Sequence, residues 1–161
     1  MQHKSFRNLP CPIARSLERV GEWWSILILR EAFLGVSRFD EFQQNLGIAP
    51  NMLARRLKAL VGSGLLEKRR YSERPPRYEY VLTERGRDFR PVLWALIAWG
   101  NRHFFPEGPS VVIVDSQGVP ADPVLVDRSS GRIMAAPEFR AAPGPAASAR
   151  IRAHYTARST A

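Results

Sequence analysis

Two short amphipathic segments joined by a glycine turn constrain this chain more than any other feature. Residues 39–46 place Phe39, Phe42 and Leu46 on one side and Asp40, Glu41, Gln43 and Gln44 on the other. Residues 50–61 carry Leu53, Leu57 and Leu60 on a single stripe. Both show the apolar recurrence of a helix packed on one face. Gly47-Ile48-Ala49 links them, and Pro50 suits a first helical position, where its missing N–H would be unpaired in any case. Helices this close, on a glycine turn, form a helix-turn-helix.

The flanking sequence surrounds that unit with further elements. Residues 11–21 predict a short helix, with Pro12 at its start, Ile13, Leu17 and Val20 at helical spacing, and Gly21 at its end. Residues 22–34 are apolar nearly all round, which predicts a central buried helix closed by Gly35. Ser37-Arg38-Phe39 leaves room only for a very short strand or a cap. After Gly62-Ser63-Gly64, residues 65–71 and 78–82 read as two strands joined by Ser72-Glu73-Arg74-Pro75-Pro76-Arg77, whose prolines forbid ladder bonding and mark an exposed loop tip. Thr83 is a fitting N-cap for one long helix reaching Phe104. The expected fold is mainly α with a small β-wing (α+β), a winged helix-turn-helix over residues 8–105. A short β-hairpin extension is expected over 106–145, where VVIVD and VLVD each precede a glycine turn, and a disordered tail over 146–161.

Charge then points to a partner. The chain carries a net +9 with a pI near 10.7, and its cations concentrate at Arg55, Arg56, Lys58, Lys68, Arg69, Arg70, Arg74 and Arg77, opposed locally by Glu67 and Glu73. A basic field centred on a helix-turn-helix and a hairpin fits double-stranded DNA. With the leucine stripe inward, Asn51, Arg55 and Lys58 face outward. Arginine can bond guanine and asparagine adenine with paired hydrogen bonds, whereas lysine suits phosphate. The expected contact surface is Ser37, Arg38, Gln44, Pro50, Asn51, Met52, Arg55, Arg56 and Lys58, with Arg74 and Arg77 at the wing tip. The competing reading is a merely solvated helix face, which accounts for each element singly but not for their coincidence. A protein-interaction winged helix would need an apolar recognition face, and a non-specific architectural binder would show no sequence preference.

Several motifs in order carry a resemblance: Cys11-Pro12-Ile13-Ala14, Trp24-Ser25-Ile26-Leu27-Ile28-Leu29-Arg30, Arg38-Phe39-Asp40-Glu41-Phe42, Leu53-Ala54-Arg55-Arg56-Leu57-Lys58-Ala59-Leu60, the run from Arg74 to Gly86, and Trp99-Gly100. Across about residues 8–104 the chain resembles the HxlR family of bacterial regulators. The resemblance implies a winged-helix dimer, binding to inverted-repeat promoters, and repression or activation by a chemical signal, with repression the expected sign and the cytoplasmic nucleoid the expected place. It also implies a sensor reading for Cys11, against the plainer one of a small structural residue. Ala49 departs from the family, which often has a serine there that can cap the recognition helix.

The last helix has two apolar stripes, Phe89, Leu93, Leu96 and Gly100 on one and Val92, Ile97 and Trp99 on the other, with Trp94 to the side. One stripe is expected inward and the other against a second copy of the chain, giving a homodimer through terminal helices. A rival switch to Cys11 is a small-molecule effector bound near Trp23, Trp24, Trp94 and Trp99. Catalysis is not expected: His3, His103 and His154 are scattered, and no P-loop or nucleophile elbow occurs. No metal or other cofactor is expected, because the extension's turns, Ser116-Gln117-Gly118 and Ser129-Ser130-Gly131, lack the cysteines of a zinc ribbon. No apolar run approaches the ~18 residues of a membrane span.

Overall fold

The computed structural model describes residues 11–135 and 137–156. His3, the start of the expected domain at residues 8–10 and the final residues 157–161 lie outside them. The elements are α1 Pro12–Val20, α2 Trp23–Phe33, α3 Phe39–Leu46, α4 Pro50–Gly62, β1 Leu66–Ser72, β2 Arg77–Leu82, α5 Glu84–Arg87, α6 Arg90–Phe104, β3 Ile113–Val114, β4 Pro120–Ala121 and α7 Ala149–Thr156. This is an α+β winged helix-turn-helix.

The core forms where the inward stripes of four helices meet the base of the hairpin. Ile28 and Leu29 of α2, Phe42 of α3 and Leu53, Leu57 and Leu60 of α4 are all fully buried. Leu65 and Leu66 carry that core into the start of β1. Helix α2 is the hub, packing against α1, α3, α4, α6 and β2. It is not buried all round, however: Trp23 and Leu34 at its two ends are each 74% exposed. Its ends run past the core, and only the middle is enclosed.

The wing is an antiparallel pair in register from Leu66↔Leu82 to Ser72↔Arg77, with one irregularity between Arg70 and Ser72. The short Ser37-Arg38 segment adds to its far edge. Arg38 bridges Glu79, and the Tyr80 amide donates to the Ser37 carbonyl at 2.7 Å. The start of the helix-turn-helix is thereby fastened to the wing. Below it, the Thr83 hydroxyl accepts from the Gly86 amide at 3.0 Å and donates to the Gly64 carbonyl at 2.6 Å. A side chain at Gly86 would collide with the Leu65 carbonyl oxygen, so only glycine lets this turn sit against the strand.

The single long helix expected after Thr83 is two helices. Pro91 has no N–H to give to the Arg87 carbonyl, and its ring would crowd that group. The chain tightens through Asp88 and Phe89, whose amide donates to Gly86, and restarts as α6. Within the tail expected to be disordered, residues 149–156 form α7, where Ser148 Oγ accepts from the Ile151 amide at 3.4 Å and the alanines and arginines that follow favour helix.

In the extension, β3 pairs β4 through Ile113↔Ala121 and Val114↔Pro120, and Val126 bridges Ile133. Aspartates organise both turns. Asp115 Oδ1 accepts from the amides of Gln117 and Val119. Asp127 accepts from the hydroxyl and amide of Ser130 and the amide of Ser129, which hold its carboxyl below the usual carboxylate range.

Candidate nucleic-acid interface

The outward face of α4 is built by phase. With Leu53, Leu57 and Leu60 sealed inward, Asn51, Ala54, Arg55, Lys58 and Ala59 are exposed. Alanines between the polar groups keep the surface shallow, which permits close approach to a groove wall. Arg55 Nη2 donates to Met52 Sδ at 3.1 Å, a weak contact that steadies the guanidinium without neutralising it. Among the described residues, Arg55, Lys58, Arg74 and Arg77 have no carboxylate partner. Such uncompensated charge suits an external polyanion.

Other expected contact residues stand in different surroundings. Pro50 and Gln44 are exposed at the mouth of the turn between α3 and α4, and Met52 is half-buried against the core. Asn51 Oδ1 accepts from the Met52 amide at 2.7 Å, which leaves its amide nitrogen for a base or phosphate acceptor. Arg38 is exposed, its guanidinium 5.0 Å from the Tyr71 ring centroid, and its amide donates to Glu41 Oε2 at 3.0 Å. Ser37 is half-buried, its hydroxyl donating to Glu79 at 3.4 Å.

Arg56 departs from the expectation. Its guanidinium pairs with Glu22 Oε2 at 2.7 Å, and its side chain is only 15% exposed. One step beyond Arg55 turns it about 100° around the helix, from the exposed side to the seam with the start of α2. It ties α4 down. Its Nε is buried without a hydrogen-bond partner among the described residues. Glu22→Ala would strand the rest of the guanidinium, so urea denaturation of that variant should show a loss of about 1–3 kcal/mol.

On the wing, the strand cations are partly engaged: Arg69 pairs with Glu79 at 2.9 Å, Arg70 with Glu73 at 3.1 Å, and Lys68 lies 4.0 Å from the Tyr78 ring centroid. Arg74 and Arg77 stay exposed beside Pro75 and Pro76. Across α4 and the wing, the cations without a carboxylate partner among the described residues are therefore Arg55 and Lys58 on α4, Lys68 on β1, and Arg74 and Arg77 at the hairpin tip.

The expected tryptophan pocket is not assembled. A cavity between α2 and α6 takes Trp94 alone of the four. Trp23 and Trp24 meet edge to face at the opposite end of α2, and Trp99, five residues along α6 and so on another side, packs against Phe104. The buried Glu31 escaped sequence reasoning. It pairs with Arg30 at 2.7 Å and accepts from Asn45 Nδ2 at 2.9 Å, joining α2 to α3. Only its place in an apolar helix signalled it. Cys11 is half-buried as a free thiol at the N-cap of α1.

Comparison with known proteins agrees with this fold. A family model described as HxlR-like helix-turn-helix matches residues 19–107. An HTH-type transcriptional regulator of Mycobacterium tuberculosis is 42% identical over 141 residues, 86% of this chain and 89% of that one. A solved structure from Pseudomonas aeruginosa, described as a transcription factor, is 54% identical over 89% of this chain and 99% of its own, with a TM-score of 0.66. The redox regulator HypR in its oxidized form is 31% identical over 58% of this chain and 97% of its own, with a TM-score of 0.54.

Proposed function

The chain belongs to the HxlR-like helix-turn-helix family of DNA-binding transcriptional regulators, and from that premise we propose that it binds an inverted-repeat operator as a homodimer and represses until a chemical signal lowers its affinity. The observation that carries this reading is the free cationic face of α4, set on a buried leucine stripe and flanked by the charged wing tip. The N-terminal half of α4 enters the major groove, and Arg55 and Asn51 read base edges there. Lys58, Arg38, Arg74 and Arg77 hold phosphates, with the wing tip reaching the flanking minor groove. The reading is non-enzymatic, and its place of action is the cytoplasmic nucleoid. No helix among the described residues is long and apolar enough to cross a membrane.

A dimer is supported by apolar surface that this chain leaves open: Ile13 and Leu17 on α1 and Val92, Leu96, Trp99 and Phe104 on α6 are all more than 40% exposed. That much open apolar surface on two helices fits a subunit seam. Selection from random-sequence DNA tests the proposal, with sedimentation of the protein alone and bound. Enrichment of a palindrome by a two-fold assembly is the expected result. An unenriched pool, or a monomer at micromolar concentration, would overturn it.

Phosphate contacts predict a salt dependence. The slope of log K against log salt should fall in magnitude by about 1 when Lys58 becomes alanine, with affinity lowered almost equally across sequences. Relatedness to a redox regulator favours Cys11 as one point of signal entry. A Cys11→Ser protein that still leaves its operator on diamide treatment would remove that role.

A further inference from the structure

Between α2, α6 and the start of the extension lies a cavity of about 650 Å³, within the range of small-molecule sites, ~300–1,000 Å³. Phe33 of α2 with Leu34 just past its end, Trp94 and Ile97 from α6 and Val111 from the extension make its walls mostly apolar. Two cations reach it, Arg30 and Arg90. Arg30 is neutralised by Glu31. Arg90 has no carboxylate partner among the described residues. Its guanidinium lies 5.0 Å from the Phe33 ring centroid and 6.0 Å from that of Trp94. An uncompensated cation is thus held over two aromatic rings beside an apolar hollow.

We propose that this cavity binds a small aromatic carboxylate, with the carboxylate on Arg90 and the ring system against Trp94 and the apolar wall. A planar guanidinium matches a carboxylate with two parallel hydrogen bonds, and an aromatic body fills a volume too apolar for water to favour. The proposal deepens the regulatory reading by naming the chemistry of the signal. Arg90 and Phe33 also line a second cavity with Ser37, Tyr80 and Leu82 at the base of the wing. An occupant that draws on Arg90 therefore acts beside the segment that fastens the helix-turn-helix to the hairpin.

The test uses the full chain, with 2-naphthoate and its neutral counterpart 2-naphthamide as probes in calorimetric titration. Naphthoate should bind at least ~10-fold more tightly than the amide, and Arg90→Gln should remove that difference while operator affinity without probe stays unchanged. Gly100 borders the cavity, and a side chain added there would meet open space rather than a neighbouring atom. Gly100→Leu should therefore block both probes, an independent check should the Arg90 variant fold poorly. Equal binding of the two probes, undiminished naphthoate binding in Arg90→Gln, or naphthoate binding only by splitting the dimer would overturn the proposal. If random-sequence selection yields an operator but naphthoate does not bind, this inference alone fails. If naphthoate binds through Arg90 and no operator is enriched, the regulatory reading fails instead.

Discussion

Arg55→Ala should weaken binding to the selected operator by about 1–3 kcal/mol, roughly 5- to 150-fold, while thermal unfolding of the protein is unchanged. Arg55 is exposed, makes no ion pair among the described residues and hydrogen-bonds there only to Met52 Sδ, so its removal leaves no buried group unsatisfied. The whole cost falls on the complex. Arg55→Lys should keep most non-specific affinity yet lose discrimination at one base pair per half-site, because an ammonium cannot make the two parallel bonds of a guanidinium. Fluorescence anisotropy on the operator and on single-base variants reads both effects. An equal loss on every sequence would reassign Arg55 to phosphate.

Leu57→Ala should do the opposite. Leu57 is fully buried under α4 among Ile28, Leu29 and Phe42, and truncating such a leucine costs about 2–5 kcal/mol through lost burial and the void left behind. Against a total stability of about 5–15 kcal/mol, that is a large share. Urea denaturation should show the midpoint falling with little change in slope. The fraction still folded should bind the operator with near-normal affinity. Arg55 and Leu57 lie on opposite sides of one helix, and the pair separates recognition from support.

The helix-turn-helix was legible because its signals are local and agree with one another: leucine spacing, a glycine turn, a proline at a helix start. The wing was legible from alternation and from Pro75 and Pro76. Other features needed spatial information. Arg56 has the same composition-level signature as Arg55, and only the approach of Glu22, 34 positions earlier, turns it from ligand to tether. Pro91 marked the break between α5 and α6, but the apolar periodicity continued through it and concealed the stop. The Ser37–Arg38 edge of the wing is too short to carry a strand pattern of its own and exists through its bond to Tyr80. The tryptophans share a residue type but not a site, since two stand at one end of α2 and two on different sides of α6.

Chemical protection of guanine N7 reports major-groove contact atom by atom and so reads whether α4 lies in the groove. On the selected operator, dimethyl sulfate footprinting should show protected N7 positions in two half-sites about one helical turn, ~10 base pairs, apart, with Arg55→Ala reopening the same guanine in each. Full N7 reactivity beneath a bound protein, or a pattern indifferent to Arg55, would contradict it: α4 would then lie outside the groove.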